Sequence, residues 1–249
     1  MYYVELQRAR RVLFWYTISV FGIVAIIAIS VLGRHGNIED VGTIPLSELL
    51  IACTVGAYVV ATIVSTGLVS ESATLPITWT RPVPRDRIAW TFVAIDVAAI
   101  LAGYLVIIAA VLLCLAIFGL LGYVQVTPGA WSAFVLGLGS AVMWYALTSA
   151  ASSRLSAHGV RVAALSWFAF LVIGGVWAAP LPAPLHAVLT ALNYLNPMAY
   201  INGVVVDGHV HASGRHAIML SQTARIALEW IISAVAVIVA VRLWSTREA

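Results

Sequence analysis

The residues best equipped for chemistry gather in one polar stretch, Asp207-Gly-His-Val-His-Ala-Ser-Gly-Arg-His216. Imidazole and carboxylate suit zinc or copper, and the spacing of two between His209 and His211 turns both to one side of an extended segment, with His216 following. The same residues also read as a solvated loop tip turned by Gly208 and Gly214, and that reading is preferred, so no bound metal is expected. Asp96 stands near the start of a long apolar run. A carboxylate there is costly to bury unless it faces water or a partner, so it is either a point on a substrate or ion pathway or an interfacial acid met by Arg87 or a neighbouring helix. Arg225 and Glu229 are four residues apart, which on a helix predicts an ion pair. Cys53 and Cys114 lie in apolar runs with no CxxC or Cys/His zinc spacing and read as small core residues. All 13 basic residues are arginine. Without lysine the chain can build neither a G-x-x-x-x-G-K-[ST] phosphate loop nor a Schiff base. No nucleophile and base cluster together either, so an enzyme is not expected, and nucleotide-driven work requires a partner chain.

The elements that hold these residues are set by composition. Of 249 residues, 62% are hydrophobic and 9% charged, with a mean hydropathy of +1.01; soluble domains carry roughly a quarter charged residues. Apolar runs at about 12–32, 49–69, 93–121, 131–151, 160–179 and 224–243 each reach the ~20 residues that a membrane-spanning helix needs. The expectation is an all-α membrane protein of six transmembrane helices in a single domain, 1–249. The third run exceeds the hydrocarbon thickness, so its first turns should stand in the interface or tilt. Ahead of the first run, Tyr2, Leu6 and Ala9 fall at helical spacing among Arg8, Arg10 and Arg11, which suits either a short amphipathic helix in the interface or the ordinary positive flank of a span. With the N-terminus inside, Arg8, Arg10, Arg11, Arg81, Arg85, Arg87, Arg154, Arg161, Arg242 and Arg247 face the cytoplasm, and Arg34, Arg215 and Arg225 face out. That bias places both termini in the cytoplasm. It also accounts for the net charge of +3 without nucleic acid as a partner, since a basic face suits anionic lipid headgroups. The lysine-free, Ala/Val/Arg-rich composition points to a GC-rich bacterial genome and hence to the bacterial cytoplasmic membrane.

Between the second and third runs the chain reads Glu71-Ser-Ala-Thr-Leu-Pro-Ile-Thr-Trp-Thr-Arg-Pro-Val-Pro-Arg-Asp-Arg87. Pro76, Pro82 and Pro84 stiffen it, and Trp79 with Arg81, Arg85 and Arg87 gives it the residue types of a docking surface rather than of a slack linker. Further on, Asn196-Pro197 interrupts a segment whose apolar stretch, Leu185–Leu192, is too short to span. Proline ends a helix and the Asn side chain can satisfy freed backbone groups, so a short re-entrant segment before the last helix is expected. Small residues recur at Gly56, Ala57, Gly137, Gly139, Ser140, Ala141, Gly174 and Gly175, allowing close helix approach within the chain or between subunits.

Glu71, Thr74-Leu75, Pro82-Val83 and Arg85 ahead of the long third run resemble the cytoplasmic loop of type-2 ABC transporter permeases, in which an acidic stretch followed by a Pro-x-x-Arg element forms the coupling helix that contacts the ATPase. Ala73 and Pro84 stand where members of that family usually carry glycine and serine. Leu195-Asn196-Pro197-Met198-Ala199-Tyr200 is similar to the family's N-P-x-x-Y/F element before the last span. The resemblance implies a permease subunit of an ATP-driven exporter, without a cofactor of its own, paired with a second permease copy and with separate ABC ATPase subunits that bind ATP and magnesium. Glu71, Thr74, Leu75, Trp79, Pro82, Arg85 and Arg87 would form the coupling loop. The alternatives are an ion-coupled secondary transporter using Asp96 and a membrane-embedded metal-dependent enzyme using the outer histidines.

Overall fold

The computed structural model describes residues 2–32, 43–66, 84–152, 165–168, 182–201, 205–206, 209–210, 218 and 220–246. They are mostly helical: α1 (Tyr2–Leu32), α2 (Leu46–Ser65), α3 (Arg85–Ile117), α4 (Ala130–Ser152), α5 (Ala183–Asn193), α6 (Met198–Ile201) and α7 (Gln222–Ser245). Five of these helices are long and apolar enough to cross a membrane, namely residues Leu6–Ile26 within α1, and α2, α3, α4 and α7. The chain therefore has the architecture of an α-helical membrane protein. Of the fifth apolar run only a helical turn at 165–168 falls among the described residues.

In an apolar solvent a helix closes its own backbone hydrogen bonds, which is why α2 stays helical through β-branched residues such as Val59, Val60, Thr62, Ile63 and Val64. Prolines in extended conformation precede three of the helices: Pro45 before α2, Pro84 before α3 and Pro182 before α5. Their missing N–H suits a helix start, where no intrahelical partner exists. The end of α3 is also set locally. Gly119 adopts φ 70°, its N–H donates to Ala116 O at 3.0 Å, and Leu120 N–H donates to Leu115 O at 2.8 Å, so a glycine in the left-handed region reverses the chain and satisfies the last carbonyls. That turn stops the helix at Ile117, short of the Leu121 at which the apolar run ends. In α7 the Ser221 hydroxyl caps the start by accepting from Ala224 N, and Arg242 complements the negative end of the helix dipole.

Of the two sequence readings of the N-terminus, the flank of a span is the one that agrees with the structure. No break separates an interfacial helix from the first span, because Tyr2–Leu32 is one continuous helix of 31 residues. Its only strong helix-weakening residue is Gly22, which does not interrupt it.

The helices pack around α4, with α2 along one side and α7 along another, while α3 lies against α1 and α2. A parallel two-residue ladder, β1 (Ile44–Pro45) on β2 (Val124–Gln125), ties the entry of α2 to the exit of α3. Across that seam the Thr127 hydroxyl donates to Ser47 Oγ at 3.1 Å. Small residues admit the close approaches. A Cβ at Gly137 of α4 would fall 2.5 Å from Tyr104 Oη of α3 and 2.6 Å from Thr54 Oγ1 of α2, where the Tyr104 hydroxyl donates to Leu50 O at 2.8 Å and its ring stacks on Phe134. Gly56, Gly103, Gly137 and Gly139 are thus contacts within the chain; Gly174 and Gly175 lie outside the described residues.

Candidate functional site

About three turns into α3, Asp96 is fully buried, and its two oxygens are met from different helices. Arg8 of α1 donates through Nη2 to Oδ1 at 2.7 Å, and the Tyr145 hydroxyl of α4 donates to Oδ2 at 2.9 Å. Arg8 Nη2 also reaches Val64 O, near the end of α2, at 3.5 Å. The sequence offered Arg87 or a neighbouring helix as the partner, and the partner is on a helix 88 positions away. A charge-assisted bond of this length in a low-dielectric setting is strong. It fastens α1, α3 and α4 at one level, at the end of the bundle opposite the β1–β2 ladder. What this arrangement does is hold helices: both carboxylate oxygens are occupied by donors of the chain itself.

A second pair of charges lies in α7, and there the expected ion pair is not formed. Arg225 is buried and donates to backbone carbonyls, Nη1 to Tyr200 O and Nη2 to Leu220 O, both at 3.5 Å. Glu229 is fully buried, and among the described residues neither of its oxygens accepts a hydrogen bond. The helical spacing was right, but the guanidinium near the start of α7 turns toward the orphan carbonyls of α6 and of the preceding turn rather than along its own helix. Glu229 instead lies over Gly139 of α4, where a Cβ would approach Oε2 to 2.7 Å.

The Asn196-Pro197 turn behaves as its chemistry suggests. The Asn196 Oδ1 accepts from Met198 N at 3.1 Å and its Nδ2 donates to Asn193 Oδ1 at 3.3 Å, while its carbonyl accepts from Ala199 N at 3.0 Å. Asn196 thereby ends the connection from α5 and starts α6, whose Tyr200 is fully buried and donates through its hydroxyl to Tyr194 O at 2.8 Å. Asn196→Ala should remove the side-chain cap and lower stability by about 1 kcal/mol, read as a lower melting temperature of the purified protein; an unchanged melting temperature would mean that the turn is held by Pro197 and Tyr200 alone. Next to this turn, Thr62 Oγ1 receives both Trp144 Nε1 at 2.8 Å and Trp167 Nε1 at 3.2 Å. With Tyr58, Pro197 and Met198 the two indoles close around a cavity of about 10 Å³, room for about one water.

Of the proposed coupling loop, Glu71, Thr74, Leu75, Trp79 and Pro82 lie outside the described residues. Arg85 and Arg87 are exposed on the first turn of α3, where Arg87 N–H donates to Pro84 O at 3.0 Å and the Arg87 carbonyl accepts from the Thr91 hydroxyl at 2.8 Å. His209 sits in a two-residue strand, His209–Val210, paired antiparallel with Val205–Val206, and His211 and His216 lie outside the described residues. Among the described residues no group of three or more His, Cys, Asp or Glu is placed to share a metal. Arg8 and Tyr145 were not singled out as site residues. The available signal was indirect, since a lone carboxylate in an apolar run demands donors, but nothing in the sequence names which helix supplies them. Comparison with protein-family models, with curated proteins and with solved structures finds no match.

Proposed function

We propose that this chain is the membrane-spanning permease subunit of an ATP-driven ABC exporter in a bacterial cytoplasmic membrane. In this reading two copies assemble on separate ATPase subunits that bind ATP and magnesium, and the substrate passes between the copies. Both termini face the cytoplasm, the run at 160–179 supplies a sixth span, and α5 with α6 forms a re-entrant element. The observation that carries the reading is the order of elements along the chain: Glu71, Thr74-Leu75, Pro82-Val83 and Arg85 lie directly ahead of α3, and Asn196-Pro197 with Tyr200 lies ahead of the last apolar helix.

The geometry supports it in two ways. The 33 residues of α3 extend about 50 Å against a hydrocarbon core of about 30 Å, so its first turn, with Arg85 and Arg87, projects beyond the bilayer toward a soluble partner. The Arg8–Asp96–Tyr145 contact then joins that lever to α1 and α4, so that force applied at the loop moves three helices as one body. The surroundings of Asp96 do not favour the ion-coupled reading, because its oxygens are already engaged by Arg8 and Tyr145.

The test is partner binding. Glu71→Ala, Trp79→Ala and Arg85→Ala should leave insertion and abundance near wild type while weakening association with the ATPase by about 2 kcal/mol, roughly thirtyfold. Matched substitutions at Arg34 and Glu39 should leave association intact. Full ATPase binding by the loop variants would reduce the loop to a plain connector and remove the main support for this function.

A further inference from the structure

A groove of about 700 Å³ runs between α1 and α3. Its floor is a trough of small side chains, Ala94, Ala98 and Ala99 of α3, and its wall is Leu13 and Phe14 of α1, with Arg10 one turn in from Leu6. From Leu6 to Thr17, its first and last α1 residues, the helix rises about 16 Å. That is about half of a 30 Å hydrocarbon core, the depth of one leaflet. Phe14 and Trp15 are 58% and 61% exposed, so this side of α1 faces outward. The charges at the mouth are unequal in their commitments. Arg8 is held by Asp96, whereas Arg10 is exposed beside Arg11 and meets no carboxylate among the described residues.

We propose that this groove binds an anionic phospholipid, with the lipid phosphate on the Arg10 guanidinium and one acyl chain along the alanine trough against Leu13 and Phe14. Three observations converge on this occupant. The groove has the length of a single acyl chain, its lining is apolar apart from Arg10 and Thr17, and the only charged lining residue among the described residues is a cation, Arg10, one turn from the Leu6 end. Guanidinium binds phosphate bidentately, and a net-negative headgroup also gains from Arg11 nearby, which a zwitterionic headgroup does less. A second copy of the chain fits poorly. Two copies with the same membrane orientation relate by an axis along the membrane normal, so a two-fold contact through this face would set Arg10 and Arg11 of both copies at one depth, like charge against like. The bound lipid would wedge against α1 directly beside the Arg8–Asp96 contact. Lipid binding here needs no ATPase partner.

The full-length chain, purified in mild detergent, is exposed to equimolar phosphatidylglycerol and phosphatidylcholine, and retained lipid is counted by native mass spectrometry. Wild type should retain phosphatidylglycerol over phosphatidylcholine by about fivefold, the weight of one basic residue at a lipid surface. Arg10→Gln should bring the ratio close to one, and Ala98→Trp, which fills the trough, should lower retention of both lipids. Equal retention by wild type would overturn the proposal without recourse to any variant. So would an unchanged ratio in Arg10→Gln or undiminished retention in Ala98→Trp. Crosslinking between copies in membranes through Phe14→Cys, beyond that of wild type, would assign the groove to a second chain and overturn it equally.

Discussion

Arg8→Ala should destabilise the protein by about 3–5 kcal/mol, more than Asp96→Ala does, although both remove the same ion pair. Breaking a buried pair leaves one charge uncompensated, and the loss is set by the charge that remains. Asp96 has no exposed surface and its short side chain cannot reach water, whereas the Arg8 side chain retains 12% of its exposure on a long flexible stem that can extend to the interface. Arg8→Ala strands the carboxylate; Asp96→Ala frees an arginine that can leave. Tyr145→Phe should lose about 1.5–3 kcal/mol, the usual worth of a hydrogen bond to a charged group. The measurement is reversible unfolding in detergent of the two single variants and the double. The double should be far less damaged than the sum of the singles, because each single already forfeits the shared contact. Strict additivity would show that the 2.7 Å contact carries no energy, and with it would go the idea that α3 moves together with α1 and α4.

That contact also marks the limit of what the chain discloses when read alone. The apolar runs at 49–69, 131–151 and 224–243 lie within a few residues of α2, α4 and α7, because length and hydropathy are local properties. The 93–121 run outlasts the helix because hydropathy does not register Gly119, where a residue in the left-handed conformation that glycine readily takes ends α3. The turn at Asn196 was legible for the same reason, its bonds spanning three residues or fewer. Asp96 was legible as a residue needing partners, yet the partners come from positions 8 and 145, and no periodicity encodes which helices become neighbours. Arg225 and Glu229 failed in the opposite sense. Their local spacing was ideal, and the competing attraction came from carbonyls of Tyr200 and Leu220 that only the tertiary fold brings near. The glycines repeat this pattern, since their smallness was visible from the start but the side chains that require it were not.

Those glycines allow a sharper test, in which the same substitution should carry opposite signs at two positions. In an ordinary helix, replacing glycine with alanine stabilises by about 0.5–1 kcal/mol, because the unfolded backbone loses freedom. Gly22→Ala should follow that rule, since nothing lies within 4 Å of a Cβ built there. Gly137→Ala should reverse it. Its Cβ would meet Tyr104 Oη at 2.5 Å, Thr54 Oγ1 at 2.6 Å and Tyr104 Cζ at 3.1 Å, and the Tyr104 ring cannot swing away without giving up both its stack on Phe134 and its hydrogen bond to Leu50 O. Overpacking a filled interior costs about 1–3 kcal/mol, which exceeds the backbone gain and leaves a net loss. The double variant Gly137→Ala with Tyr104→Phe separates the causes, since it removes the closest clashing atom. It should recover part of the loss, offset by about 1 kcal/mol for the hydrogen bond no longer made. Melting temperatures of wild type and the three variants decide the matter. If Gly137→Ala stabilised the protein as Gly22→Ala does, the approach of α3 and α2 to α4 at this glycine would be looser than the geometry requires, and the packing around α4 would not explain why a helix this apolar keeps glycine at its centre.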